Sequence, residues 1–157
     1  MNTLTIAGEV LELDLLSKWA PQTCAALRAL GSLSLPMQQS TWCGPTLTGS
    51  LFRGALLEVD KLEQPVISLY PGTICLRPVD GRNATYDPMV WAKSPESYNA
   101  SVELTLAYGY GEFRNETGPA YVTPVAMIRG FNKVMAATIR AAGAQGAAAA
   151  DFTFGGA

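Results

Sequence analysis

Histidine is absent from this chain of 157 residues. Its absence excludes Ser-His and Cys-His nucleophile pairs, a histidine general base and zinc sites built on imidazole. Chemistry here must run on carboxylates, phenols, Lys or Arg, a thiol or backbone donors. Cysteine is scarce too: Cys24, Cys43 and Cys75 are odd in number, widely spaced and free of any Cys-x-x-Cys pair. Neither a disulfide framework nor a thiolate zinc site is expected. Charge is sparse and near balance, 11 Lys and Arg against 13 Asp and Glu, with no basic stripe of the kind nucleic acid requires. No apolar run is long enough to cross a bilayer, and Met1 to Ile6 lacks the n-region and h-region of a secretory signal. A cytoplasmic protein with no membrane and no nucleic-acid partner is expected. Carboxylates with cation-ligand spacing are missing as well. Glu9, Glu12 and Asp14 lie on a strand's solvent face and Glu58, Asp60 and Glu63 fall in a turn, so the expectation is no metal and no cofactor.

What is present alternates. A chain of this length reads as one domain, residues 1–157, able to bury a core without staples. Leu4 and Ile6, then Leu11, Leu13 and Leu15, have the period of strands joined by an Ala7-Gly8 turn. Pro21 opens a helix carrying Cys24, Leu27 and Leu30, and Gly31 stops it. Leu33 and Leu35 begin a strand that Pro36 interrupts, with residues 37–43 resuming as an edge or bulged strand. Further strands are expected over residues 51–59, 66–70, 73–79, 102–110 and 121–128. Residues 80–101 form a long loop with Arg82, Tyr86, Trp91 and Tyr98, the length of a lid or binding loop. Phe131, Val134, Met135, Thr138 and Ala142 recur at helical spacing, with Gly143 as the stop. Residues 144–157 read either as a frayed tail or as an arm docked on its own or a neighbouring subunit through Phe152 and Phe154. The pattern predicts a mainly β, closed antiparallel barrel plugged by helices.

The strand-to-helix passage from Glu9 to Gly31, with Trp42-Cys43-Gly44, Tyr70-Pro71-Gly72 and the segment Glu103 to Gly109, resembles the small bacterial cyclophilin-like proteins, which include families of unknown function. The resemblance implies a cyclophilin-like barrel of about eight strands with two helices. It does not carry the isomerase site. Cyclophilins have a Phe-His-Arg segment soon after the first helix and a later Phe-x-x-Gln, whereas residues 33–44 contain neither His nor Arg, and Phe52-Arg53 comes too late.

Trp42-Cys43-Gly44 offers a flat wall beside a small thiol. Tyr108-Gly109-Tyr110-Gly111-Glu112-Phe113-Arg114 would set two phenols on one face of a barrel mouth, with Glu112 and Arg114 at its rim. The candidate ligand contacts are therefore Trp42, Tyr70, Tyr110 and Arg114, and the candidate catalytic groups Cys43, Tyr108 and Glu112. For Cys43 the competing reading is a small buried hydrophobe, since no cation adjoins it in sequence. For the segment from Tyr108 to Arg114 it is aromatic core packing, with Glu112 and Arg114 as a rim ion pair. Arg77 and Arg82 flank the start of the long loop and carry a weaker anion-binding signal. The partner expected is a small anionic or amide-containing metabolite at the barrel mouth, bound or turned over by a catabolic enzyme. A prolyl isomerase with an atypical site and a homo-oligomeric interaction protein are the alternatives.

Overall fold

The computed structural model describes residues 1–52, 62–79, 101–115 and 118–156. The expected strand beyond Phe52, the turn at Asp60 and Lys61, and the long loop carrying Arg82, Tyr86, Trp91 and Tyr98 lie outside the described residues.

Strands β1 (Asn2–Ile6) and β2 (Glu9–Leu15) form a hairpin in which Ile6 faces Glu9. Both turn residues, Ala7 and Gly8, take positive φ, the backbone a tight two-residue hairpin turn demands. Helix α1 (Pro21–Leu30) follows, then β3 (Ser32–Gln39), β4 (Thr46–Phe52), β5 (Ser68–Leu69), β6 (Thr73–Val79) and β7 (Ser101–Ala107). After the short pieces β8 (Gly111–Glu112), β9 (Arg114–Asn115) and β10 (Gly118–Pro119) come β11 (Thr123–Ile128), helix α2 (Lys133–Ala144) and β12 (Ala148–Thr153). Eight strands close an antiparallel barrel in the order β1-β12-β3-β4-β7-β6-β11-β2. Neither described helix is long and apolar enough to cross a membrane.

The barrel is filled rather than hollow. Leu4, Ile6, Leu11, Leu13, Leu33, Leu35, Met37, Leu47, Ile74, Leu76, Val102, Leu104, Leu106, Ile128 and Phe152 are all buried in one core, as expected for a barrel of this size. Alternation sets the direction of each side chain: Leu35 and Met37 point in, so Pro36 and Gln38 point out. The helices close opposite ends. Cys24 and Leu27 of α1 join the core near the start of β3, and Ile139 of α2 joins it near the end of β3, where Gly143 lies against Leu47.

Several expectations change in detail. Within the C-terminal segment, β12 docks on its own chain, pairing with β1 on one side and β3 on the other. Residues 66–70 hold no place in the barrel wall and contribute only the short β5, paired with β8. The strand count is thus right while its membership differs. Pro36 does not interrupt β3, because it faces Ala149 of β12 within a continuous ladder. Gly143 is not the helix stop. It sits inside α2 where a Cβ would clash with Leu47 Cδ2, and the cap is Gln145.

A second layer covers part of the outer wall. Cys75 and Ala107 point outward and are buried beneath Leu69, Phe113, Val122 and Cys43. Residues 62–69 form a strap over this wall, held by reciprocal hydrogen bonds between Val66 and Val122 at 2.9 and 3.0 Å. Its first anchor is Glu63. Helix α1 has Ala20 at its N-cap and no side-chain cap of its own, and Glu63 supplies one. Its carboxylate accepts from the Gln22 amide at 3.0 Å, the Thr23 amide at 2.7 Å and the Thr23 hydroxyl at 2.6 Å. The carboxylate expected in a solvated turn is thus a long-range helix cap.

Desolvation raises the Glu63 pKa, but the hydrogen bonds from Thr23 and Gln22 outweigh it and hold the carboxyl below its ordinary value. A depressed carboxyl stabilises the fold above its unfolded pKa and loses that contribution as pH falls through the folded one. Glu63→Ala is therefore expected to cost about 0.5–2 kcal/mol at neutral pH, the range for a lost N-cap. The gap to wild type should narrow as urea melts are repeated in increasing acid below the ordinary glutamate range. A gap that widens in acid would contradict the cap.

Candidate functional site

The β3–β4 ladder is short, with Gln38 opposite Thr48 and Gln39 opposite Leu47, whereas β4 pairs with β7 along its whole length. Beside this seam, on the outside of the barrel, lies a cleft of about 460 Å³. Its floor comes from outward residues of four strands: Pro36 and Gln38 of β3, Thr48 and Ser50 of β4, Glu103 of β7 and Arg77 of β6. Residues 40–43 and Arg114 form the rim. Gly49 lets β4 pass close to β3, since a Cβ there would stand 2.8 Å from the Pro36 carbonyl oxygen.

Hydroxyls line the near side. Thr46 Oγ1 donates to Ser40 Oγ at 2.7 Å, and Ser40 Oγ is hydrogen-bonded in turn to Thr48 Oγ1. The rim is stitched from behind by Gln39, whose Nε2 donates to the Gly44 carbonyl at 2.5 Å while its Oε1 accepts from the Tyr108 hydroxyl at 2.5 Å. Tyr108 also donates its amide to the Pro45 carbonyl at 2.9 Å. The glycines between the aromatics have a packing role here: a Cβ on Gly109 would lie 2.9 Å from the Pro45 ring.

The charged floor is the most unusual part. Arg77 and Glu103 face each other across the β6–β7 ladder with an N···O distance of 3.6 Å, and the two side chains are 12% and 21% exposed. The Arg77 Cζ stands 5.1 Å from the centroid of the Phe113 ring, in cation–π range. Arg77 Nε is buried and has no hydrogen-bond partner among the described residues. Among the described residues this mostly desolvated guanidinium thus has one loose carboxylate partner and an Nε donor without an acceptor.

Of the sequence candidates, Trp42, Cys43 and Arg114 line the cleft. Trp42 is 54% exposed. Glu112 lies one contact away, in a 2.8 Å ion pair with Arg114 Nη1. Tyr108 reaches the cleft only through Gln39. Tyr70 and Tyr110 do not line it. The β5–β8 register sets them opposite each other, where they form an exposed edge-to-face pair with centroids 5.9 Å apart. The Cys43 thiol is buried; it donates to the Arg114 carbonyl at 2.9 Å and accepts from the Arg114 amide at 3.3 Å. Burial pushes its pKa up despite those bonds, which favours the thiol over the thiolate. Cys75, deeper in the wall, is pushed up to about 12. Sequence reading placed the pocket at the barrel mouth, whereas this cleft is on the outer wall. Gln38, Thr48, Ser50 and Glu103 were missed, the only advance signal being the outward phase of their strands.

No protein-family model and no curated protein sequence matches this chain. Among solved structures, the whole chain superposes on 45% of the length of McbB, in a structure of McbB in complex with tryptophan, with a TM-score of 0.63 and 12% identity. At that identity the likeness is one of fold alone, and this chain spans less than half of McbB.

Proposed function

We propose that this is a cyclophilin-like protein that binds a small anionic or amide-containing metabolite in the outer-wall cleft. The observation that carries the reading is Arg77, a desolvated guanidinium on the cleft floor whose Nε lacks an acceptor among the described residues. A ligand oxygen supplies an acceptor to the part of this guanidinium that lines the cleft. Trp42 at the rim offers an indole face to a flat or apolar part of the ligand, and Gln38, Thr48 and Ser50 offer neutral donors and acceptors. That McbB was solved with tryptophan agrees with a small-molecule role for a barrel of this type. The cleft is assigned binding rather than turnover. The Cys43 thiol, the Tyr108 phenol and the Glu112 carboxylate are each engaged by a neighbouring group.

A metabolite-library thermal-shift screen tests this. A ligand at a hundredfold over its Kd stabilises the native state by about 2.7 kcal/mol. At least one carboxylate or amide is expected to shift wild type and to lose its effect on folded Arg77→Met. An absence of shifts across both classes, or shifts that survive Arg77→Met, would contradict the reading.

A further inference from the structure

We propose that the cleft selects electrically neutral, dipolar ligands, amides or zwitterions, over free carboxylates. The inference rests on the binding reading above and narrows its ligand class. Among the described residues, each cation of the cleft carries its own carboxylate: Arg77 with Glu103, and Arg114 with Glu112. An anion approaching Arg77 is attracted by the guanidinium and repelled by Glu103 from nearly the same distance, so its net Coulombic gain is small. The Arg114–Glu112 pair, with both side chains 48% exposed, is screened and discriminates less. Selection falls to the less exposed Arg77–Glu103 pair.

Arg77 and Glu103 are 3.6 Å apart, beyond the usual N–H···O range. A ligand with an acceptor beside a donor replaces this loose contact with two good ones. Its oxygen accepts from the guanidinium, and its N–H donates to Glu103. A bare carboxylate satisfies Arg77 and leaves Glu103 facing a like charge, while a bare ammonium does the reverse. The uncharged lining of Gln38, Thr48 and Ser50 adds no net charge to tip the balance.

A charge-matched set with one flat group for Trp42 tests the selection: phenylacetamide, phenylalanine, phenylacetate and phenethylamine. Each is titrated by two-dimensional amide NMR into wild type and Glu103→Gln. Phenylacetamide and phenylalanine are expected to bind wild type at least tenfold more tightly than the two singly charged compounds. Glu103→Gln leaves Arg77 uncompensated and should reverse the order of phenylacetate and phenylacetamide. The wild-type series decides the matter even if the variant does not fold. Phenylacetate binding as tightly as phenylacetamide overturns the selection and leaves the binding reading intact. No perturbation of the cleft by any of the four counts against the binding reading itself, and the selection falls with it.

Discussion

A chain lacking residues 148–156 is expected to show no cooperative unfolding transition. Those residues hold β12, which lies between β1 and β3 and pairs with both. Removing it opens the barrel and creates two unpaired edges in place of none, a ready template for association. Ala150, Phe152 and Phe154 are buried, and the two rings stack 6.0 Å apart. Each buried Phe is worth about 3–5 kcal/mol when truncated. Two of them, with two ladders lost besides, match the roughly 5–15 kcal/mol that holds a typical domain folded. Urea melts followed by far-UV circular dichroism read the outcome directly. A cooperative transition with an unchanged m-value in the shortened chain would mean that β12 is dispensable and the closure wrongly assigned.

Phe113→Ala is expected to cost about 3–5 kcal/mol, the range for emptying a buried aromatic site. Phe113 is 1% exposed at the centre of the second layer, against Cys43, Leu69, Cys75 and Val122. Its amide donates to the Ile67 carbonyl at 2.7 Å and its carbonyl accepts from the Ala120 amide at 3.0 Å. The ring therefore joins the strap to the wall. It also underlies Arg77, so Phe113→Leu separates the two duties. Leucine keeps much of the packing, at a cost of roughly 1.5 kcal/mol, but has no ring face to hold the guanidinium. Ligand affinity should fall about tenfold in the leucine variant, since a desolvated cation–π contact contributes about 1–2 kcal/mol. Tyrosine, which keeps the face, should restore it. Equal affinities for Phe, Leu and Tyr would assign the ring to packing alone.

Much of the barrel was legible in the sequence because it depends on near neighbours. Leu11 with Leu13, and Val102 with Leu104 and Leu106, alternate as inward-facing strands must, and they do face inward. Pro21 and Gly31 bracket α1 as their backbone preferences require; Gly31 takes a φ of 77° and donates its amide to the Leu27 carbonyl. What escaped depends on distant partners. The alanines at 148–150 have little intrinsic strand preference, and β12 exists because β1 and β3 present open edges for it. Residues 66–70 lie in the strap instead, through the Val66–Val122 bridge and the pairing of β5 with β8.

Glu63 caps a helix that begins 42 positions earlier in the chain, at Pro21. Nothing local marks it. The candidate site divides along the same line. Trp42, Cys43 and Arg114 stood out as local motifs and do line the cleft. Tyr70 and Tyr110 stood out equally but meet each other on a different exposed surface. Glu103 looked like an ordinary strand residue, and only the β6–β7 register, which sets it across from Arg77, gives it a role.

Whether a ligand sits on the outer wall at Arg77 is decided by locating it on the folded protein. An NMR titration of the labelled protein with a compound that shifts its melting temperature should perturb, in one saturable process, the Arg77 Nε–H signal, the Trp42 indole N–H and the amides of Gln38, Thr48 and Glu103. Saturable perturbations centred on Tyr70 and Tyr110, with the Arg77 signal unmoved, would place the ligand away from the outer-wall cleft.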